Sequence, residues 1–159
     1  MAFVLTSADI AEGETVPMLH VHQMADGQNR SPALAWSGAP EGTKAFAITA
    51  YDPDAPIGSG WWNWTVFDLP ADTTGLPAGV TADGAGLPTD AGQGRTDFGS
   101  VGYGGPAPPP GDKPHRYIFT VHALSKPLGL DGQASGAMVG FNIHFATLGS
   151  ASLTALYGR

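Results

Sequence analysis

Apolar and β-branched residues gather in three dense blocks, separated by stretches rich in glycine and proline. From Lys44 to Tyr51 the chain alternates Phe46, Ile48 and Ala50 with Ala45, Ala47, Thr49 and Tyr51. Both sides are apolar enough to predict a strand buried on both faces. The second block, Trp61 to Leu69, is dense in aromatic and β-branched residues and is closed by Pro70. The third, Arg116 to Leu124, is closed by Pro127. Shorter strand candidates are Phe3 to Thr6, Leu34 to Trp36 and Ser152 to Tyr157. One helix is predicted near Ser135 to Leu148. Ser135 serves as its N-cap, and Met138, Phe141, Phe145 and Leu148 make an apolar stripe at spacings of three and four. Gly136 and Gly140 interrupt that helix. Ala71 to Gly102 shows breakers and no periodicity, the pattern of a functional loop. The fold class expected is mainly β: a two-sheet antiparallel sandwich with one or two short helices, in a single domain over residues 1–159.

Composition narrows this further. The 23 glycines and 14 prolines approach a disordered composition, but 42% apolar residues point to a folded, turn-rich chain. Only 13% of residues are charged, and 14 acidic against 7 basic residues give a net charge of −7. Lys and Arg are scattered, so nucleic acid and anionic bilayers are unfavourable partners. The absence of cysteine excludes disulfides, thiolate catalysis and Cys-based metal sites. Met1 to Leu5 is a short apolar run without a basic flank, and no stretch reaches the length of a membrane span. A cytoplasmic protein is expected.

Two motifs carry candidate chemistry. Asp52-Pro53-Asp54-Ala55-Pro56 follows the first strong strand, so Asp52 sits where the chain leaves the sheet. Pro53 and Pro56 fix φ and stiffen the corner, which holds two carboxylates in set directions. Taken alone, the motif reads more readily as a rigid turn capped by its own carboxylates. The second motif is the Gly- and Pro-rich run from Gly102 to Gly111, followed by His115-Arg116-Tyr117. Its glycines permit close approach of backbone to a ligand, and its prolines stiffen the loop. Strand alternation places His115 and Tyr117 on one face, about 6.6 Å apart along the strand, within reach of one small ligand. A capping His and a buried Tyr are the structural alternative.

Other features are weaker. His20 and His22 lack a third metal ligand nearby and read as surface residues. His122 and His144 read as satisfied structural histidines. Trp61, Trp62 and Trp64 read as strand and core aromatics. Ser31 and Ser135 lack the Gly-x-Ser-x-Gly context of a serine hydrolase. No metal or cofactor is expected.

With these residues in view, the sequence resembles the phosphatidylethanolamine-binding protein family, in particular its bacterial Raf-kinase-inhibitor-like branch. The blocks that carry the likeness are Asn29-Arg30-Ser31-Pro32-Ala33-Leu34-Ala35-Trp36, Asp52 to Pro56 with Gly60-Trp61-Trp62, Gly105 to Gly111 with His115-Arg116-Tyr117, and Ala134 to Asn142. The resemblance implies a β-sandwich with a small anion pocket at one end. Carried over, that pocket is lined by Asp52, Pro56, Pro108, Pro109, His115 and Tyr117. A further family histidine falls near Asn63, in Trp62-Asn63-Trp64. A charge-assisted bond from His contributes about 1.5–3 kcal/mol against about 0.5–1.5 from neutral Asn, so a weaker anion site with a shallower pH dependence is expected.

Three functions follow. The first is a binding module for a phosphate-type anion or a zwitterionic headgroup, with a regulatory, kinase-inhibitor-like role in the eukaryotic branch. The second is a pocket repurposed for cofactor-free acid–base chemistry, an isomerase, epimerase or cyclase, with Asp52 and His115 as the pair and Asn63 and Tyr117 as orienting groups. The third is self-association as a homodimer, suggested by the low surface charge and by family relatives.

Overall fold

A computed structural model describes the whole chain, Met1 to Arg159. Its strands are β1 (Val4–Thr6), β2 (Leu34–Ser37), β3 (Ala45–Asp52), β4 (Trp61–Pro70), β5 (Gly75–Leu76), β6 (Gly92–Gln93) and β7 (His115–Leu124). The helix α1 (Gly136–His144) and the strand β8 (Thr147–Tyr157) follow. Two antiparallel sheets result, a small one ordered β1-β2-β5 and a five-stranded one ordered β6-β4-β3-β7-β8. The mainly β, two-sheet architecture expected from the sequence is the one present.

β3 lies at the centre of the large sheet and is buried on both faces, as its two-sided apolar pattern predicts. One face joins the small sheet in the main core, around Trp36, Phe46, Trp64, Phe119 and Leu153. The other face packs Ala45, Ala47, Phe67 and Leu124 beneath Val139 and Ile143 of α1.

Three expectations change at this level. The helix forms with Ser135 as its N-cap, its side chain accepting from Met138 N at 3.1 Å, but it turns its other face inward. Gly136, Val139 and Ile143 are buried, while Phe141 and Phe145 are 62% and 68% exposed. The cause is Trp62, which packs under the helix so closely that a Cβ on Gly136 would lie 2.2 Å from its ring. The glycines are therefore the contact that docks the helix, and the Met138–Leu148 stripe faces solvent. Residues 71–102 are not structureless: they contribute β5 and β6, and Gln93 Oε1 accepts a hydrogen bond from Trp64 Nε1 at 2.8 Å in the core. His20, expected at the surface, is buried, with Nδ1 2.7 Å from Arg30 O; His144, expected to be structural, is exposed.

One irregularity in β4 bears on the site. Ala50 pairs with Trp64 and Tyr51 with Trp62, which leaves Asn63 as a bulged residue without a partner on β3. Its backbone carbonyl instead accepts from Gly104 N at 2.8 Å. The bulge therefore ties the Gly-rich loop to the sheet.

Candidate functional site

The β3–β4 connection, the loop carrying Asp97 and Phe98, the prolines at 108 and 109, and the start of β7 meet at one end of the sandwich. They enclose a cavity of about 480 Å³. Asp52, Pro56, Asn63, Pro108, Pro109, His115 and Tyr117, the residues singled out from the sequence, all line it. Met24, Ile57, Trp61 and Phe98 supply much of its apolar wall.

Each polar group reaches the cavity for a local reason. Asp52 ends β3 and is buried, and its Oδ1 accepts from Asp54 N at 2.8 Å, a short side-chain turn that the flanking prolines stabilise. Asp54 points the other way. Its carboxylate accepts from Arg116 Nε at 3.0 Å and Nη2 at 2.8 Å, and these bonds hold the carboxyl down at about 2. Of the two carboxylates in the stiff corner, one thus serves the cavity and the other clamps the corner to β7.

His115 and Tyr117 share the inward face of β7, their rings 6.4 Å apart and nearly parallel, while Arg116 faces out. His115 Nδ1 lies 2.7 Å from Asp52 Oδ2, and Nε2 lies 2.9 Å from Asp112 Oδ2. With both carboxylates ionised, each only accepts, so both ring nitrogens donate and the imidazole carries a positive charge. Burial opposes that charge, but the hydrogen bonds to Asp52 and Asp112 outweigh it and raise the histidine above its ordinary value. An imidazole so engaged offers no lone pair to a substrate, and the acid–base reading gains nothing from this geometry. Burial, and then the neighbouring Asp52 charge, push the Tyr117 phenol well up, so it stays a neutral donor.

Asn63 is fixed in orientation by two carbonyls: its Nδ2 donates to Gly104 O at 2.8 Å and Gly105 O at 3.3 Å. Its Oδ1 is buried and has no partner, and neither has Trp61 Nε1. Both residues line the cavity, and each carries a buried polar atom without a partner, an acceptor on Asn63 and a donor on Trp61.

The glycines of the 102–111 run do approach backbone closely, but the backbone is the protein's own. A Cβ on Gly105 would lie 2.2 Å from His20 O, and one on Gly104 would lie 2.5 Å from the Phe98 ring. These glycines seat the loop that delivers Pro108 and Pro109 to the cavity.

Sequence reasoning missed Asp112, Trp61, Phe98, Asp97, Ile57 and Met24. Asp112 carried a signal, since it stands three residues before His115 across a proline turn. Asp97 and Phe98 carried none, because only tertiary closure brings their loop there. Asp97 Oδ2 accepts from Trp62 N at 2.8 Å and so pins that loop to β4. His22, the other half of the His pair, caps a short turn by accepting from Met24 N and stacks on Phe98 at 4.2 Å. No group of three or more His, Asp or Glu side chains is arranged to hold a metal ion. No helix is long and apolar enough to cross a membrane.

The family model described as "Phosphatidylethanolamine-binding protein" matches residues 6–158. UPF0098 protein YbhB of Escherichia coli is 54% identical over 156 residues, covering 96% of this chain and 98% of that protein. The crystal structure of E. coli YbcL superposes with a TM-score of 0.98 at 48% identity, covering 100% of this chain and 99% of that one. A homologue from Chlamydia trachomatis superposes with a TM-score of 0.82 at 27% identity, covering 99% and 98% of the two chains. With the cavity, its bulged strand and its stiff proline corners, the chain belongs to the phosphatidylethanolamine-binding protein family.

Proposed function

We propose that this protein binds a small zwitterionic ligand, with the charged head at Asp52, Asn63, His115 and Tyr117 and an apolar body against Trp61, Phe98, Ile57 and Met24. The observation that carries the reading is the buried Asp52–His115 pair on the floor of an otherwise mostly apolar cavity. Buried charges are costly unless matched, and clefts of this kind with a few convergent polar groups are the usual form of small-molecule sites.

The charge balance favours a zwitterion over a simple anion. Asp52, Asp97, Asp112 and the unpartnered Asn63 Oδ1 are acceptors, and His115 is the only cationic side chain among the groups gathered here. An ammonium would satisfy Asp52 and Asn63 Oδ1, while the phosphate of a group such as phosphoethanolamine would use Trp61 Nε1, Tyr117 and His115. The family's name points to the same headgroup.

An amide-resolved NMR titration with phosphoethanolamine, inorganic phosphate and a neutral analogue tests this. The expected result is saturable shifts around residues 52–63 and 103–117, strongest for phosphoethanolamine, weakened in His115→Gln and Asp52→Asn. No shift at millimolar concentrations of any probe contradicts it.

A second copy of the chain is the partner proposed for the face opposite in character. Residues 132–158 contain no Asp, Glu, Lys or Arg, and they include the exposed Phe141–Phe145 pair and the exposed first half of edge strand β8. In a chain of net charge −7 such a neutral face is where copies repel least. Light scattering at twice the 16.3 kDa chain mass is expected, and a monomer that persists at high concentration overturns it.

A further inference from the structure

Both N–H groups of the imidazolium in the cavity are already taken by this chain. His115 Nδ1 donates to Asp52 and Nε2 to Asp112. No Lys or Arg lines the cavity. An anion arriving at His115 therefore meets no free donor on the ring.

The two carboxylates are held very differently. The Asp52 side chain is 5% exposed, ends a central strand and has a second bond from Asp54 N. The Asp112 side chain is 36% exposed, and His115 is its hydrogen-bond partner in the turn between Pro109 and Pro114. The backbone of the turn is held, with Gly111 N donating to Arg159 O at 2.7 Å and Asp112 N to Pro109 O at 3.3 Å, so the Asp112 side chain is the part free to move. Asp112 can swing into solvent at little cost, whereas Asp52 cannot leave without breaking the end of β3.

We propose that Asp112 sets the affinity of the site: its carboxylate is a tethered competitor on His115 Nε2, at the position a ligand's phosphate-type group takes. The inference rests on the reading above, that the ligand's headgroup engages His115. A tether of three residues keeps the competitor at high local concentration. Any anion that takes Nε2 must first release Asp112, so every ligand loses affinity by the same factor. A phosphate monoester brings up to two negative charges and three strong acceptor oxygens, and it displaces Asp112. The turn thus raises the concentration of any anion needed to occupy His115.

The test measures binding of inorganic phosphate and of acetate to the wild type, Asp112→Asn and Asp97→Asn, followed by His115 imidazole shifts and by calorimetry. Asp97→Asn removes the same formal charge from the cavity wall without touching His115. Asp112→Asn is expected to bind phosphate about tenfold more tightly, the gain if Asp112 is docked about nine-tenths of the time. It should gain by the same factor for acetate, since a competitor on the site weakens every anion alike, while Asp97→Asn gains clearly less. Equal gains in the two variants, or an unchanged affinity in Asp112→Asn, overturn the inference and leave the headgroup reading standing. Absence of phosphate binding in every variant overturns both.

Discussion

His115 and His122 lie seven residues apart on β7, on opposite faces of the same strand, and the fold gives them opposite charge states. His115 is buried between two carboxylates, and its pKa is raised. His122 meets only the Thr49 hydroxyl, 2.9 Å from Nε2, and burial pulls it down to about 4. Burial acts against the charged form at both positions. What differs is the partner: a carboxylate reverses the effect of desolvation, and a hydroxyl does not. A buried histidine is therefore a binding group or a structural one according to what the neighbouring loops bring to it.

Removing the carboxylate should erase the difference, and this is the largest effect expected. Asp52→Ala leaves the imidazole buried beside an empty place and breaks a buried pair, a change that costs about 3–5 kcal/mol. Urea unfolding of the variant checks it; a loss below about 1 kcal/mol would show that the pair contributes little beyond its geometry.

The pH profile of stability sharpens the comparison next. His122 has a folded pKa below its ordinary 6.5, so its contribution is present above that value and is lost as pH falls toward about 4. The size is on the order of 3 kcal/mol at full protonation. His115 has a folded pKa above 6.5, so its contribution is present below 6.5 and is lost as pH rises through the raised value. Stability from these two residues is thus greatest near pH 6.5. His122→Asn should flatten the acid limb and leave the alkaline limb in place. An acid limb that survives in His122→Asn would assign it to other groups.

The smallest effect is expected at Thr49→Val. It removes the hydroxyl partner of His122 and costs about 1 kcal/mol, while the histidine stays neutral because desolvation, not Thr49, keeps it so. An NMR titration in which His122 of this variant returned to its ordinary pKa would contradict that cause.

Much of the site was legible because its residues are fixed by local rules. Pro53 and Pro56 stiffen the corner that presents Asp52, and strand alternation alone places His115 and Tyr117 side by side. What could not be read is what distant segments bring. The wall formed by Phe98 and Met24 depends on two loops closing over β4, and no local pattern marks that closure. The bulge at Asn63 is likewise a property of pairing with β3, visible only once the register is known. The helix teaches a related point. Its apolar stripe was real, but periodicity states only that one face differs from another. Trp62 beneath Gly136 and Gly140 decided which face turned inward.

If the neighbouring groups set the charge, His115 is held as an imidazolium between Asp52 and Asp112 while His122, on the same strand, is neutral. Imidazole ¹⁵N NMR of the wild type at pH 7 tests it most directly. Two protonated ring nitrogens are expected for His115, and one protonated and one bare nitrogen for His122. A bare nitrogen on His115 at that pH would contradict it.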